Sequence, residues 1–348
     1  MEHLAIDLGS RKSQICVRNS KGEILKECRL ETKALPVFLA SRPHSRVILE
    51  TCAEAFHFAD HALQVGHEVR VVPSTLVRSL GVGARGVKTD LRDARATSEV
   101  STRIDLPSVY LPTAEARRRS ALCASREVLV SSRTKLINHC RGWLRTQALT
   151  IRSGGSASFP ARMREQGPML PAHIEVVLVN LELLNAQIKA LEKDVQQLVK
   201  TDELCKRLMS VPGVGPVTAL RFAAGIGDIQ RFGNSHALQS YLGLVPGENS
   251  SGEKKQRTSL TKAGKATVRW LLIQAAWTAW RIRTGDPMVR WAQQIAHRRG
   301  KHVAAVALAR KMAGILYAIW RDDTRYDPSR TAMSEAEKPA ELREVILR

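Results

Sequence analysis

The sequence predicts an α/β domain at the N-terminus, followed by a mostly helical region. Short apolar strand patterns run from Leu4 to Val72, helical periodicity begins at Thr113, and the net charge is +21. With 348 residues, of which 44% are hydrophobic, the chain is long enough for two domains with real cores. A pI near 10.3 is typical of proteins whose partners carry many phosphates.

The basic composition leaves a membrane-surface protein as the competing class. The sequence shows no apolar run of about 18 residues and no lipidation signal, and its first residues do not resemble a signal peptide. We therefore expect a cytoplasmic protein that does not bind a membrane. Six cysteines are scattered without a C-x-x-C pair, which argues against a zinc site and against a disulfide framework.

Five strand patterns organise the first domain, which we place at residues 1–112. The patterns cover residues 4–8, 14–18, 24–30, 46–50 and 68–72. Turn-prone residues separate the first three, which predicts antiparallel strands. A helical pattern at 53–66 lies between the fourth and fifth strands, and the order strand, helix, strand implies parallel pairing.

Residues 88–94, Lys-Thr-Asp-Leu-Arg-Asp-Ala, form the most informative stretch of the chain. If a helix begins at Thr89 or Asp90, then Asp90 and Asp93 lie at positions i and i+3 on one face. Two carboxylates so placed repel each other, and Mg²⁺ is usually held by one or two carboxylates plus substrate phosphates. The alternative is a solvated helix start, where the helix dipole favours acids.

Two further acids lie on predicted strands. Asp7 lies within the first strand, where a carboxylate needs a partner, and Glu50 ends the fourth. This strand order with these acids is the ribonuclease-H-like arrangement, in which carboxylates hold two metal ions about 3.5–4 Å apart for phosphodiester chemistry. We predict that Mg²⁺ is bound by Asp7, Glu50, Asp90 and Asp93. Residues 6–10 also resemble the phosphate loop of actin-like sugar kinases, but the sequence lacks the second Asp-Gly loop that those enzymes need.

The pattern of residues 113–200 predicts a basic helix followed by a coiled-coil segment. The basic helix is expected to contact phosphates, although a solvated helix face would show the same pattern. Its candidate nucleic-acid-binding residues are Arg117, Arg118, Arg119, Arg126 and Arg133. After a Pro- and Gly-rich break, four heptads run from Ile174 to Leu198. Their partner is either the basic helix, which gives an antiparallel stalk, or another chain, which gives an oligomer.

The C-terminal domain, placed at residues 201–322, begins with a candidate DNA-contact element. Residues 208–219 have the pattern helix, Gly hairpin, helix, and Gly213 and Gly215 would let a phosphate approach the backbone. The element resembles the helix-hairpin-helix of non-sequence-specific DNA binders, although a plain helical corner would look similar. The five tryptophans that follow are interpreted as core residues rather than stacking platforms. Residues 323–348 predict a polar, partly ordered tail.

Paired serines in a cationic segment are the other candidate element of this domain. Ser250 and Ser251 precede Gly252, and a turn would explain them equally well. A serine nucleophile needs a base or strong electrostatic help, because its free hydroxyl is a weak nucleophile. The cations that would stabilise charge on a reacting phosphodiester are Lys254, Lys255, Arg257 and Lys262.

The ordered set of motifs resembles the DEDD transposases of the IS one-ten family, from about residue 3 to 320. The motifs are Ile-Asp-Leu-Gly-Ser, Leu-Glu-Thr, Lys-Thr-Asp-Leu-Arg-Asp-Ala, Val-Pro-Gly-Val-Gly, Tyr-Leu-Gly-Leu-Val-Pro-(x)3-Ser-Ser-Gly and Thr-Lys-(x)-Gly. The resemblance implies a RuvC-like domain, a coiled-coil segment and a C-terminal transposase domain. It implies that the acids are Asp7, Glu50, Asp90 and Asp93, and that the nucleophile is Ser251, with Ser250 as the alternative.

The same resemblance implies Mg²⁺, a homo-oligomer (dimer or tetramer) with active sites shared between protomers, and an element-encoded structured guide RNA that pairs with donor and target DNA. The prediction is therefore a recombinase of a mobile element that joins DNA through a covalent phosphoserine. One alternative is a RuvC-like, Mg²⁺-dependent junction endonuclease without a covalent intermediate. The other is a non-enzymatic nucleic-acid-binding scaffold.

Overall fold

The computed structural model describes residues 1–79, 89–166, 169–249 and 256–330. Contacts between residues divide the chain into an N-terminal unit, Met1–Leu111, and a helical unit, Pro112–Arg348. Several sequence-based predictions fall outside the described residues. These are Lys88, the segment 250–255 with Ser250, Ser251, Lys254 and Lys255, and residues 331–348 of the predicted tail.

The N-terminal unit is built on a five-stranded sheet with the order β3-β2-β1-β4-β5. The strands are β1 (Glu2–Asp7), β2 (Lys12–Arg18), β3 (Ile24–Glu31), β4 (Ser45–Glu50) and β5 (Glu68–Val72). The first three pair antiparallel, and β4 pairs parallel to both β1 and β5. The five predicted strands and the predicted parallel crossover are therefore confirmed.

Helices cover both faces of this sheet. They are α1 (Leu35–Ala40), α2 (Ala55–Gln64), α3 (Ser74–Ser79) and α4 (Asp90–Arg103). Because successive strand residues point to opposite faces, Leu4 and Ile6 pack with α1 and α2 in one core. On the other face Ala5 and Ile48 form a smaller core, against which Val100 of α4 packs. Of the described helices, α3 and α4 therefore lie on the face of the sheet with the smaller apolar core, and α4 carries the predicted acid pair.

The helical unit consists of nine described helices and one short hairpin. The helices are α5 (Ala114–Thr146), α6 (Phe159–Gln166), α7 (Ala172–Thr201), α8 (Glu203–Leu208), α9 (Pro216–Ile226), α10 (Ser235–Tyr241), α11 (Ala266–Ile282), α12 (Pro287–Arg299) and α13 (Lys301–Arg321). The hairpin strands are β6 (Pro246–Glu248) and β7 (Arg257–Leu260), which pair antiparallel. The mostly helical character predicted for this part of the chain is confirmed.

The two long helices α5 and α7 pack against each other within the chain. Arg126 forms an ion pair with Glu192, and Arg133 Nη1 donates to Asn185 Oδ1 at 3.1 Å, so residue numbers fall along α7 as they rise along α5. The helices are therefore antiparallel. The predicted a positions are fully buried, and these are Ile174, Leu181, Ile188 and Val195. The predicted d positions of α7 are half-buried, and these are Val177, Leu184, Leu191 and Leu198.

The main core of the helical unit surrounds α13. Leu308, Met312 and Leu316 of this helix are fully buried. By length and composition α13 is apolar enough to cross a membrane, with a mean hydropathy of 1.5, and half of its apolar window is buried inside the unit. Trp280, Trp291 and Trp320 pack against this core, as predicted, whereas 52% of Trp270 is exposed.

Candidate active site

The carboxyl ends of two neighbouring strands bring two of the predicted acids together. Asp7 is the last residue of β1, and Glu50 is the last residue of β4. The strands are parallel, and Ile6 pairs with Leu49, so the two acids follow a paired position at one edge of the sheet. Neighbouring strands lie about 4.8 Å apart, which places both carboxylates in the same neighbourhood.

Helix α4 begins where residues 88–94 predict a helix. Thr89 is its N-cap, and the Thr89 hydroxyl accepts a hydrogen bond from the backbone N–H of Arg92 at 3.3 Å. Such a cap satisfies one of the four N–H groups that have no partner within the helix. Asp93, one turn into the helix, is buried with 5% of its surface exposed. The expected helix start is confirmed, and it carries Asp93 onto the sheet.

Three of the four predicted acids line one cleft. Its lining residues are Ala5, Ile6, Asp7, Glu50, Asp93, Ala94 and Thr97. The cleft measures about 10 Å³, which is close to the volume of one water-sized sphere. The small side chains of Ala94 and Thr97 on α4 line the cleft beside the acids.

Asp90 is not among the residues that line the cleft. It is the first residue of α4, 63% of its side chain is exposed, and a carboxylate oxygen lies 3.8 Å from Arg29 Nη2 of β3. Positions i and i+3 are neighbours on a helix surface, but the first turn lies beyond the buried part of this helix. The predicted pair is therefore divided, with Asp93 inside and Asp90 at the rim of the helix start.

Polar contacts hold α4 on the sheet. Ser98 is fully buried, and its hydroxyl donates to Cys16 Sγ at 3.2 Å and accepts from Arg18 Nε at 3.0 Å. One turn later, Ser101 Oγ lies 2.8 Å from His3 Nδ1 in a buried contact. Hydrogen-bond geometry is more directional than apolar packing, so these contacts define the helix position along the strands. Burial raises the pKa of the Cys16 thiol, which keeps it neutral.

An ion pair at the helix surface adds a further contact. Arg95 of α4 forms a bidentate pair with Glu27 of β3, with Arg95 Nη2 and Glu27 Oε2 2.5 Å apart. This hydrogen-bonded guanidinium lowers the pKa of Glu27. A bidentate pair is geometrically specific, so Arg95 orients the turn of α4 that also carries Asp93.

The acid cleft has the donor chemistry of a divalent-metal site. Carboxylate oxygens are the ligands that Mg²⁺ prefers, and three carboxylate side chains line the cleft. The side chains are not drawn together to ligand distances, since no set of three His, Cys, Asp or Glu in the described part of the chain could hold a metal as it stands.

The hairpin β6–β7 brackets the predicted nucleophile. Pro246 pairs with Leu260, and Glu248 pairs with Arg257. Beyond the last pair, the Asn249 backbone N–H donates to Gln256 O at 2.9 Å. Ser250 and Ser251 stand between these bonded residues in the chain, and both lie outside the described residues.

Two glycines clamp the base of this hairpin. Gly243 has φ +65°, and a Cβ there would lie 2.5 Å from the backbone of Ala263. Gly264 has φ +68°, and a Cβ there would lie 1.9 Å from Tyr241 O. Only glycine fits both the positive φ and the close approach. The backbones of the motifs Tyr-Leu-Gly and Thr-Lys-(x)-Gly therefore pack directly against each other.

Arg269 of α11 completes the clamp. Its Nη1 donates to Leu242 O at 2.8 Å and to Ala263 O at 2.9 Å, one carbonyl on each side of the hairpin. Arginine presents several N–H donors in a rigid fork, which suits it to bridging two chain segments. Next to Ala263, Lys262 is exposed and has a positive φ of 52°, an uncommon backbone conformation for a residue with a side chain.

The predicted helix-hairpin-helix element uses its two glycines differently. A Cβ at Gly213 would lie 2.2 Å from Ala275 O, so this glycine packs against the backbone of α11 and not toward a ligand. Gly215 is the N-cap of α9, and nothing lies within 4 Å of the position of its Cβ. The open backbone expected at both positions is present at Gly215, while Gly213 serves the packing of the unit.

The predicted basic face of α5 is largely occupied by contacts inside the unit. Arg118 and Arg119 both pair with Glu115, and Arg119 also pairs with Asp202 at the start of α8. Arg126 and Arg133 bond to α7, as described above. The Arg117 guanidinium donates to Pro112 O at 2.5 Å. Arg119, Arg126 and Arg133 thus link α5 to neighbouring helices, whereas Arg117 and Arg118 bond to residues close by in the sequence.

Sequence reasoning missed the residues that position the site. The positions of Ser98 and Ser101 could have been predicted. Small polar residues recur with Asp93 and Thr97 at helical spacing, which indicates one buried face of α4. No sequence pattern indicates the role of Arg269, since the two carbonyls that accept its hydrogen bonds lie 27 and 6 residues away in the sequence.

Two protein-family models match the chain. One, the DEDD transposase family of the IS110 type, described as "Transposase", matches residues 4–147. The other, described as "Transposase IS116/IS110/IS902 family", matches residues 205–292. The first match contains all four predicted acids, and the second contains the hairpin and its glycine clamp.

Curated relatives match over most of the chain. A "Probable family 20 transposase" of Pseudomonas aeruginosa is 33% identical, over 86% of this chain and 92% of the relative. The "Transposase for insertion sequence element IS1111A" of Coxiella burnetii is 31% identical, over 91% of this chain and 88% of the relative. The "Transposase for insertion sequence element IS1328" of Yersinia enterocolitica is 28% identical, over 92% of this chain and 97% of the relative. The chain is thus a transposase of an insertion sequence, a DNA cleavage and transfer enzyme, and it belongs to the IS110 family.

Proposed function

We propose that this transposase cleaves and rejoins DNA through a covalent phosphoserine, in a reaction that requires Mg²⁺. The observation that carries the proposal is the cleft lined by Asp7, Glu50 and Asp93 at one edge of the sheet. In this proposal the N-terminal unit is a RuvC-like nuclease domain, and the α5–α7 pair is its coiled-coil segment.

The metal-binding part of the proposal assigns Mg²⁺ to Asp7, Glu50, Asp90 and Asp93. When bound, Mg²⁺ would neutralise charge on the scissile phosphate and lower the barrier to attack by an oxygen nucleophile. The carboxylates of Asp7 and Glu50 are held by the sheet edge, and the carboxylate of Asp93 is held by the docked helix. Asp90 would join the set by releasing Arg29, which lies 3.8 Å away in an exposed and therefore weak pair.

The nucleophile part of the proposal rests on the hairpin β6–β7. The glycine clamp and Arg269 hold both strand ends to the body of the unit, which suits a segment that must present one hydroxyl to DNA. Ser251 is the proposed nucleophile, because it precedes Gly252 in the motif, and Ser250 is the alternative. Lys254, Lys255, Arg257 and Lys262 would stabilise charge on the phosphodiester.

The proposed chemistry conserves the energy of the phosphodiester bond. The Ser251 oxygen forms a bond to phosphorus while the bond from phosphorus to the leaving DNA oxygen breaks; the serine proton goes to a base, and the leaving oxygen takes up a proton. In the second step a DNA hydroxyl attacks the phosphoserine and releases Ser251. No ATP is needed, because one phosphoester bond replaces another in each step.

The proposed partners are donor DNA, target DNA and a structured guide RNA, in a cytoplasmic, nucleoid-associated complex. A net charge of +21 supports binding to several polyanionic strands. We propose a dimer or a tetramer in which the acids and Ser251 meet on one phosphodiester, either within a chain or between chains.

A suicide substrate tests the covalent step. A DNA substrate nicked beside the cleavage site would trap a protein–DNA adduct, which migrates slowly in a denaturing gel. We expect the adduct with the unaltered protein and with Ser250→Ala, and no adduct with Ser251→Ala. Adduct formation by Ser251→Ala would contradict the assignment of Ser251.

The same assay separates the two alternative functions. Cleavage without any adduct, abolished by Asp93→Asn, would favour a junction endonuclease that uses water. DNA binding with neither cleavage nor joining, unaffected by Asp90→Ala or Asp93→Asn, would favour a non-enzymatic scaffold. Sequencing of nucleic acid that copurifies with the protein tests the guide RNA independently.

A further inference from the structure

A cluster of cations lies where helices α11, α12 and α13 follow one another. Between Arg281 and His302 the chain has six Arg and Lys residues and a single acid, Asp286. All six cations are exposed. We call this surface the basic corner, and its residues are Arg281, Arg283, Arg290, Arg298, Arg299 and Lys301.

The only acid of this stretch is engaged elsewhere. Asp286 caps α12 by accepting a hydrogen bond from the Met288 backbone N–H at 2.9 Å, and it accepts another from the Tyr326 hydroxyl at 2.8 Å. None of the six cations has a carboxylate of the described residues within 4.0 Å. Their positive charge is therefore not neutralised by the part of the protein that the structure describes.

The packing of α12 leaves its cations on the exposed face of the helix. Met288, Val289 and Ala292 bury one face of α12. Arg290 and Arg298 lie eight residues apart on the exposed face, which corresponds to about 12 Å along the helix. The last turn of α12 leads through Gly300 directly into α13.

Contact between α11 and α13 places Arg281 near Lys301. The rings of Trp277 on α11 and His302 on α13 meet edge to face with centroids 5.7 Å apart. Arg281 follows Trp277 by four residues and is therefore its neighbour on the same helix face. The end of α11 and the start of α13 thus present Arg281 and Lys301 on adjoining turns.

Helix dipoles account for only part of this charge. Cations are favoured in the last turn of a helix, which explains Arg281 at the end of α11 and Arg298 and Arg299 at the end of α12. Lys301 lies in the first turn of α13, where the dipole disfavours a cation and where no acidic residue is present. The helix dipoles therefore give no reason for Lys301, Arg283 or Arg290 at this surface.

The basic corner also differs from the basic face of α5. Arg118, Arg119 and Arg126 of α5 are paired with acids inside the unit, whereas the cations of the corner are not. Counterion release on phosphate binding requires cations that are available to the phosphates. Exposed cations also remain on α5, at Lys135, Arg141 and Arg145, and the corner adds six more in a region that the motifs of the sequence do not mark.

We propose that the basic corner binds the phosphodiester backbone of duplex DNA without reading its sequence. The inference rests on the proposed function for its substrate and adds a surface to it. Arginine and lysine contacts to phosphates position a protein on a duplex, while sequence is read elsewhere. A guide RNA would therefore supply the specificity, and the corner would hold the flanking duplex.

The test is a salt titration of DNA binding. The variant Arg298→Ala/Arg299→Ala/Lys301→Ala removes three corner cations. Its matched control, Arg164→Ala/Lys206→Ala/Arg321→Ala, removes three exposed cations that are paired with acids. Binding to a short duplex of arbitrary sequence is measured between about 50 and 200 mM salt in EDTA, which prevents cleavage.

The corner variant is expected to bind DNA about 10- to 100-fold more weakly at low salt, with a salt slope smaller by about two to three. The control is expected to keep the slope of the unaltered protein. The conservative variant Arg298→Lys/Arg299→Lys should retain binding, which separates charge from folding, and circular dichroism verifies the helix content of each protein.

Other results would overturn the inference in distinguishable ways. An unchanged slope in the corner variant, with normal binding by the unaltered protein, rejects the corner and leaves the proposed function intact. The corner is likewise rejected as a duplex-binding surface if only a structured RNA hairpin, or only vesicles with anionic lipids, lose affinity for the variant. If the unaltered protein neither binds duplex DNA nor forms the covalent adduct, the proposed function itself fails.

Discussion

The acid cleft and the hairpin β6–β7 are positioned by different physical means. In the N-terminal unit, strand pairing places Asp7 beside Glu50, and polar contacts dock α4 so that Asp93 faces them. In the helical unit, the hairpin is held where backbone meets backbone at Gly243 and Gly264. The acid cleft should therefore tolerate substitutions of the side chains around it. The hairpin should tolerate almost no substitution at Gly243 or Gly264, because any Cβ there meets backbone atoms.

The largest expected effect is at the cleft. Asp93→Asn removes a carboxylate charge in nearly the same shape and should lower strand joining by about 10²–10³-fold. Glu99→Gln, on the exposed side of the same helix, is the matched control and should retain joining. A gel assay of joined product measures both, and full activity of Asp93→Asn would remove Asp93 from the catalytic set.

Asp90→Asn sharpens the contrast within the acid set. Because Asp90 lies outside the cleft beside Arg29, we expect reduced joining that partly recovers at higher Mg²⁺ concentration, unlike Asp93→Asn. A titration of joining against Mg²⁺ measures the difference. Identical, unrecoverable losses in both variants would mean that the two carboxylates act as one unit.

Next in size is the glycine clamp. Gly264→Ala forces a Cβ to within 1.9 Å of Tyr241 O at a positive φ, so the clamp must open at a cost of about 1–3 kcal/mol. We expect loss of the covalent adduct, because the hairpin would no longer be held to the body of the unit. Gly233→Ala is the control, since nothing lies within 4 Å of its Cβ position. Equal adduct yields from the two variants would argue against the clamp.

A smaller effect is expected where α4 docks. Ser98→Ala removes the acceptor of Arg18 Nε and a donor to Cys16, and should lower the free energy of unfolding by about 1 kcal/mol. Thr102→Ala removes only a bond to Glu99 O within the helix and should be near neutral. Urea unfolding compares them, and a neutral Ser98→Ala would show that apolar packing alone holds the helix.

The smallest expected effect is the pH-dependent part of the contribution of Asp202 to stability. Burial opposes ionisation of Asp202, but hydrogen bonds from the Cys205 backbone and from Arg119 outweigh it, and the net result is a lowered pKa. A lowered folded-state pKa stabilises the protein above the unfolded value of about 3.9, and this contribution disappears as pH falls through the folded pKa.

Asp202→Ala should therefore lower the free energy of unfolding by about 0.5–2 kcal/mol at neutral pH, because it also removes the cap of α8. Asp202→Asn keeps a capping oxygen and should lose less. The deficit of both variants should shrink in acid, as measured by urea unfolding at several pH values. A deficit that is constant with pH would show that the charge of Asp202 is not involved.

Several parts of this molecule were predictable from local patterns. Alternating apolar residues located the five strands, and Thr89 located the start of α4, because both signals depend on neighbours in the sequence. The Pro- and Gly-rich break that precedes the heptads contains a helix that the sequence analysis did not predict. This helix is α6, and its Phe159 and Met163 are buried against α5 and α7. The short α6 lacks enough residues to show a helical period by itself.

The sequence by itself determined which residue types are available: strand-end acids, a capped helix with two carboxylates, heptads, and glycines before and after paired serines. Only the tertiary structure decided how they are used. It divided Asp90 from Asp93, engaged the arginines of α5 in ion pairs, and packed Gly213 against α11. The physical reason is that a hydrogen-bond ladder or a helix period is set by adjacent residues, whereas an ion pair or a close backbone contact depends on a partner far away in the chain.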